Sequence, residues 1–156
     1  MLYINKEWKR VICRYFLNKE RIITDRLTLG SYRKEDRDRL AEMMRNPEIT
    51  ATFMVPDYSE EVQFYALADK LIEFSQINDT THLEYGVYLD GYMIGFFNDC
   101  CYDDEAIELG YVIDPAFKGR GFATEAVNAV INELHEMGFK KVVAGFLKEI
   151  SAAEKW

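Results

Sequence analysis

The stretch Glu108-Leu109-Gly110-Tyr111-Val112-Ile113-Asp114-Pro115-Ala116-Phe117-Lys118-Gly119-Arg120-Gly121-Phe122-Ala123-Thr124-Glu125-Ala126 changes its period midway. Together with Ile107 its first part alternates, with Ile107, Leu109, Tyr111 and Ile113 on one face and Glu108, Gly110 and Val112 on the other, as in a β-strand. After a connector from Asp114 to Arg120, Phe122, Ala126, Val130, Leu134 and Met137 recur at helical spacing until Gly138, a natural stop. Two glycines flanking one residue before a helix let backbone N–H groups converge without a Cβ in the way. The helix N-terminus adds about half a positive charge, which suits a phosphate or pyrophosphate. Lys118 and Arg120 add full charges in an otherwise acidic chain. By itself such a Gly-x-Gly is equally a plain strand-to-helix turn. No P-loop spacing occurs, and Thr124 stands where a dinucleotide fingerprint needs a small third residue.

Working outward, Leu83, Tyr85, Val87 and Leu89 alternate, Asp90-Gly91 makes a turn, and Tyr92, Ile94 and Phe96 alternate back, which predicts a hairpin. Upstream, Arg21-Ile22-Ile23 leading into Arg26-Leu27-Thr28-Leu29 reads as one strand. Lys34-Glu35-Asp36 opens a helix carrying Leu40, Met43 and Met44 that closes at Asn46-Pro47. A second helix starts after Asp57-Tyr58-Ser59 and carries Phe64, Leu67, Ala68, Leu71 and Ile72. Lys141–Phe146 reads as a last strand. Residues 1–20 form an extension: Ile4, Trp8, Val11 and Tyr15 define one helical face, and the net charge there is +3 against −11 for the remainder. The expectation is a single mixed α/β domain over residues 21–156.

The 156 residues, 49% hydrophobic and 14% aromatic with three prolines, exclude a disordered chain. A net charge of −8 argues against general nucleic-acid binding, which draws most of its affinity from a basic patch. No apolar run is long enough to cross a bilayer, and Lys6, Lys9, Arg10 and Arg14 break up any signal-peptide core. Cys13, Cys100 and Cys101 are odd in number and lack Cys-x-x-Cys spacing, which points to reduced thiols in the cytoplasm. His82 and His135 are too few and too far apart to suggest a metal site.

The quoted stretch closely resembles the central motif of the GNAT superfamily of acetyl-CoA-dependent N-acetyltransferases. Arg26-Leu27-Thr28-Leu29 with Lys34-Glu35-Asp36 resembles the opening of the branch similar to ribosomal-protein N-acetyltransferases, and Met93-Ile94-Gly95 also fits. The resemblance implies an α+β acyl-CoA N-acyltransferase fold: a mixed, mostly antiparallel twisted sheet flanked by helices. It implies acetyl-CoA as co-substrate, with backbone groups near Val112 and Ile113 meeting the pantetheine arm. Lys118, Gly119, Arg120, Gly121, Phe122 and Ala123 would meet the pyrophosphate, and Thr124 would offer a hydroxyl. Two departures stand out. Ala116 occupies a position that carries Gln or Arg in the family. Lys148-Glu149-Ile150-Ser151 and the following residues to Trp156 replace an Asn-x-x-Ser-like signature and the closing strands. The resulting expectation is a C-terminally truncated version whose open strand edge pairs in a homodimer.

Acetyl transfer to an amine needs a deprotonated amine and a donor for the developing oxyanion. Glu108 is the candidate base, directly or through a water, against the alternative of a structural carboxylate. The oxyanion donor is expected in a backbone N–H close to Val112, and Tyr111 is expected in the core. Acidic neighbours disfavour Cys100 or Cys101 as a nucleophile. The acceptor implied is a small-molecule or peptide amine. The alternative is a non-catalytic acyl-CoA-binding or regulatory protein.

Overall fold

The computed structural model describes residues 21–77 and 82–144. The expected helix in residues 1–20 and the expectations for the tail from Gly145 onward lie outside them. Six strands form one sheet in sequence order: β1 (Arg21–Ile23), β2 (Leu27–Gly30), β3 (Glu84–Leu89), β4 (Tyr92–Tyr102), β5 (Ala106–Ile113) and β6 (Lys141–Ala144). Neighbours are antiparallel except β5 and β6, which run parallel. α1 (Arg37–Arg45), α2 (Pro47–Thr50) and α3 (Glu61–Gln76) cover one face, and α4 (Phe122–Glu136) covers the other.

Alternation in the strands therefore feeds two cores. Leu29, Tyr85, Val87, Phe97 and Leu109 pack with Phe122, Ala126, Val130 and Leu134 of α4. Tyr88, Met93, Phe96 and Val112 pack with Leu40, Met43, Ala68 and Ile72 of the other helices. The central strands read as nearly continuous apolar runs because both faces are buried.

Local chemistry revises four expectations. The segment Arg21–Leu29 is a hairpin: the Thr24 hydroxyl accepts the Leu27 N–H at 2.9 Å and so takes a ladder donor for the turn. Asn46 ends α1 yet also starts α2, its Oδ1 accepting the Glu48 N–H at 2.9 Å. α3 begins at Glu61, where Gln63 accepts the Glu60 N–H at 2.9 Å in a capping box. Opposite Val87 and Tyr88 lie Gly95 and Met93, so Ile94 is an extra residue in a bulge. Ile94 and Phe96, expected on one face, consequently enter opposite cores.

The bulge draws Gly95 against β5, where any Cβ would collide with the Val112 carbonyl. Gly95→Ala should therefore destabilise the fold by about 2 kcal/mol. Urea unfolding should show a lower midpoint with an unchanged slope.

Candidate active site

β6 pairs with β5 only from Ala106 to Leu109, and no described strand flanks Gly110–Ile113 on that side. The direction of the backbone groups follows from the ladder. The Asp114 N–H reaches the Ile94 carbonyl at 2.8 Å, so its even-numbered neighbour Val112 also turns its amide toward β4. The outward amides close to Val112 are those of Tyr111 and Ile113. The Tyr111 ring, expected in the core, is 40% exposed and stacks on Phe97 at 5.5 Å, because it lies outside the cluster that α4 covers.

Asp114 closes β5. Its Oδ1 accepts the Ala116 N–H at 2.7 Å and starts the turn Pro115–Phe117, while its other oxygen receives Arg39 of α1. Arg39 also donates to the Met93 carbonyl at 3.1 Å, tying α1 to the strand ends. Gly119 and Gly121 then adopt φ of +73° and +80°, which only glycine adopts without strain. The first amide of the α4 ladder is that of Glu125, 3.1 Å from the Gly121 carbonyl. Among the described residues, no protein group accepts the N–H of Gly119, Arg120, Gly121, Phe122, Ala123 or Thr124. The bend thus presents unpaired amides at a helix N-terminus, where charge and donors favour an anion. Lys118 is exposed, 3.7 Å from Glu48, and the Arg120 guanidinium lies 4.8 Å from the Phe122 ring centroid.

Sequence reasoning missed what holds this bend. Glu125 accepts the Thr24 hydroxyl at 2.6 Å, the Arg26 N–H at 2.9 Å and Arg26 Nε at 2.7 Å. Arg26 Nη1 donates to the Arg120 carbonyl at 2.9 Å, and its guanidinium sits 4.6 Å from the Phe122 ring centroid. Both residues stand in the motifs quoted above, yet nothing in the spacing signals that they meet across 99 positions.

On the opposite face, half-buried Glu108 shares a row with Gly110 and Val112. Gly110 leaves room for Asn98: a Cβ there would sit 2.5 Å from Asn98 Oδ1 and 2.9 Å from the Phe53 ring. The two histidines serve local structure. His135 Nδ1 lies 2.8 Å from the Phe139 carbonyl at the end of α4, and His82 Nδ1 lies 3.6 Å from Asp99. Among the described residues, no group of three His, Cys, Asp or Glu could hold a metal ion, and no helix is long and apolar enough to cross a membrane.

Among the described residues, a mixed six-stranded sheet ending in a parallel pair, with a glycine-rich helix start after β5, has the arrangement of the GNAT fold. The chain belongs to that family: the model of the acetyltransferase (GNAT) domain matches residues 26–154. It is 27% identical over 115 residues to an uncharacterized N-acetyltransferase, p20, of Bacillus licheniformis. That match spans 72% of this chain and 65% of p20, just under two-thirds. The fold resembles RimL, a ribosomal L7/L12 alpha-N-protein acetyltransferase solved with coenzyme A, at TM-score 0.67 and 15% identity, covering 85% of this chain and 77% of that one. It also resembles a GNAT-family acetyltransferase of Bacillus anthracis, at TM-score 0.64 and 18% identity, covering 80% and 72%.

The Thr24 hydroxyl, and after it the Arg26 amide and guanidinium, hold the Glu125 carboxyl below its ordinary range. A depressed carboxyl stabilises the fold above its unfolded pKa, near 4.3, and loses that contribution as pH falls through the lower native value. Glu125→Ala should cost about 1–2 kcal/mol at pH 7, and the difference from the parent should shrink as pH falls below about 4 in urea titrations.

Proposed function

We propose that the chain transfers an acetyl group from acetyl-CoA to a primary amine by direct attack in a ternary complex. The observation that carries this reading is the run of amides from Gly119 to Thr124 without an acceptor among the described residues, fixed by the Glu125–Arg26 clamp just after β5. Those amides, with Lys118 and Arg120, would hold the diphosphate. The outward backbone of Tyr111 and Ile113 would hold the pantetheine arm and donate to the carbonyl oxygen. Family membership and the coenzyme A bound to RimL support the same assignment.

The co-substrate supplies an activated acetyl thioester whose thiolate, with a pKa near 8.5, is an adequate leaving group. An alkyl amine near pKa 10.4 arrives as an ammonium and must lose a proton before it attacks. Glu108 is our candidate for receiving it, directly or through a water. Holding amine and thioester together supplies much of the remaining acceleration. The acceptor is a small-molecule or peptide amine, and RimL, which acts on a protein α-amine, supports the peptide class. The odd count of cysteines supports a reducing, cytoplasmic setting.

Acetyl-CoA at a hundredfold its Kd should stabilise the protein by about 2.7 kcal/mol, a rise in Tm of about 5–10 °C. Charge reversal at both Lys118→Glu and Arg120→Glu should remove most of that rise while leaving the Tm without ligand within about 2 °C. Gly121→Val should also remove that rise, from a lower Tm without ligand, since the positive φ there strains any side chain. A full shift in these variants would overturn the placement of the co-substrate. Thiol release should require both acetyl-CoA and an amine, and Glu108→Gln should lower kcat by 10²-fold or more.

A further inference from the structure

The register sets Glu84 of β3, Asn98 of β4 and Gly110 of β5 side by side on the face away from α4. The loop after α2 and the helices α1 and α3 close over this row and leave a cavity of about 140 Å³. Its walls are apolar (Phe53, Val55, Leu67 and Leu71), and Glu84 and Asn98 form its polar end. Glu84 is only 6% exposed. Tyr32 donates to its Oε2 at 2.9 Å, and its second oxygen has no partner among the described residues. Asn98 Oδ1 is buried with no hydrogen-bond partner among the described residues. Buried acceptors are nearly always paired, so the Asn98 oxygen at one end of an apolar slot calls for a donor.

Resting on the acetyl-transfer reading, we infer that Glu84 and Asn98 bind the amino group of the acceptor, and that this acceptor is a primary amine on a short apolar body. The N–H donors of an amine match the Asn98 oxygen and the Glu84 carboxylate left once the pair has shed its proton, and its carbons match the walls. At about 30 Å³ per water-sized group, the slot holds a body of about five heavy atoms. A polyamine would bring further ammonium groups, and an amino-sugar further hydroxyls, against walls that offer them no partner. Asn98 is the register partner of Gly110, so the polar end of the slot lies one strand away from the β5 segment proposed to hold the thioester arm.

Burial pushes the Glu84 carboxyl up to about 8, reinforced by the charge of Asp99 and opposed by the Tyr32 hydrogen bond. Burial also raises Tyr32, which stays a donor, and Asp99, which His82 accompanies at 3.6 Å; Asp36 and Tyr88 lie beyond Tyr32. The side chains of α1, α3 and the loop that face the slot, such as Met44, Leu67 and Val55, do not titrate. A neutral acid and an ammonium must together shed one proton to form the bound pair. The Kd for the amine should thus fall about tenfold per pH unit from roughly pH 6 to 8 and then level off.

The test uses the full chain, isotopically labelled, and follows the Asn98 side-chain amide by NMR while isobutylamine, a leucine-initiated tripeptide, spermidine or glucosamine is added. Isobutylamine or the tripeptide should move that resonance, with the pH dependence above. Glu84→Gln and Asn98→Leu, the latter followed at the backbone amide of Gly110, should each weaken binding about tenfold or more, and spermidine and glucosamine should bind more weakly than isobutylamine. Tighter binding of the tripeptide assigns the source to a polypeptide N-terminus, and tighter binding of isobutylamine assigns it to a free metabolite. An unchanged Kd in both variants, or tightest binding by spermidine, overturns the inference. Leu71→Trp, which fills the slot without touching its polar end, should block isobutylamine and serves if a polar-end variant misfolds. The acetyl-CoA shift in Tm, read in the same samples, keeps the two readings apart. Its loss in the parent protein would sink the acetyl-transfer reading, whereas amine binding alone judges the slot.

Discussion

A sheet buried on both faces can offer its backbone to a ligand only along an edge or where two strands part. In this chain α4 covers one face and α1–α3 the other, so side chains of the central strands are committed to the two cores. The described pairing of β5 with its parallel neighbour stops at Leu109, and the four residues that follow keep partners only on the β4 side. Two clamps set the position of this segment and of the bend after it. Arg39 binds Asp114 at the end of β5, and Arg26 binds Glu125 at the start of α4. Both clamps join distant parts of the chain, so the position of this segment and of the bend is a property of the folded domain rather than of the loop.

The electrostatics follow the same plan. The bend concentrates backbone donors, a helix N-terminus, Lys118 and Arg120 at one place on an acidic protein. Across the sheet, the α1–α3 side buries Glu84 and Asn98 in apolar surroundings without matching donors for every oxygen. On the proposed reading one side takes an anion and the other an amine, with the β5 backbone between them. Such an arrangement brings two reactants together before any side chain takes part in chemistry.

The glycine-rich bend, the hairpin at Asp90-Gly91 and the amphipathic α4 were legible because each depends on local chemistry: positive φ, strand alternation and helical spacing. The β1–β2 turn was not, because it rests on the Thr24 hydroxyl and contains no glycine or proline. The bulge at Ile94 was equally hidden, since it arises from how Gly95 packs on the Val112 carbonyl. In the site, Glu108 and the bend could be nominated from the motif. Glu84 and Asn98 could not: in the sequence they are ordinary polar positions of two strands, and their isolation comes from helices and a loop closing over them. Tyr111 erred in the other direction, because strand parity assigns a face but does not say where the covering layer ends.

Backbone amide NMR shifts on adding coenzyme A would test the proposed binding mode most directly. Gly119–Thr124 should show the largest changes, accompanied by Tyr111 and Ile113. If those amides stay still while the largest changes fall elsewhere, for example around Ser31, Arg33 and Gln76 beside the cavity between β2 and the end of α3, the co-substrate binds another part of the fold and the proposal is wrong.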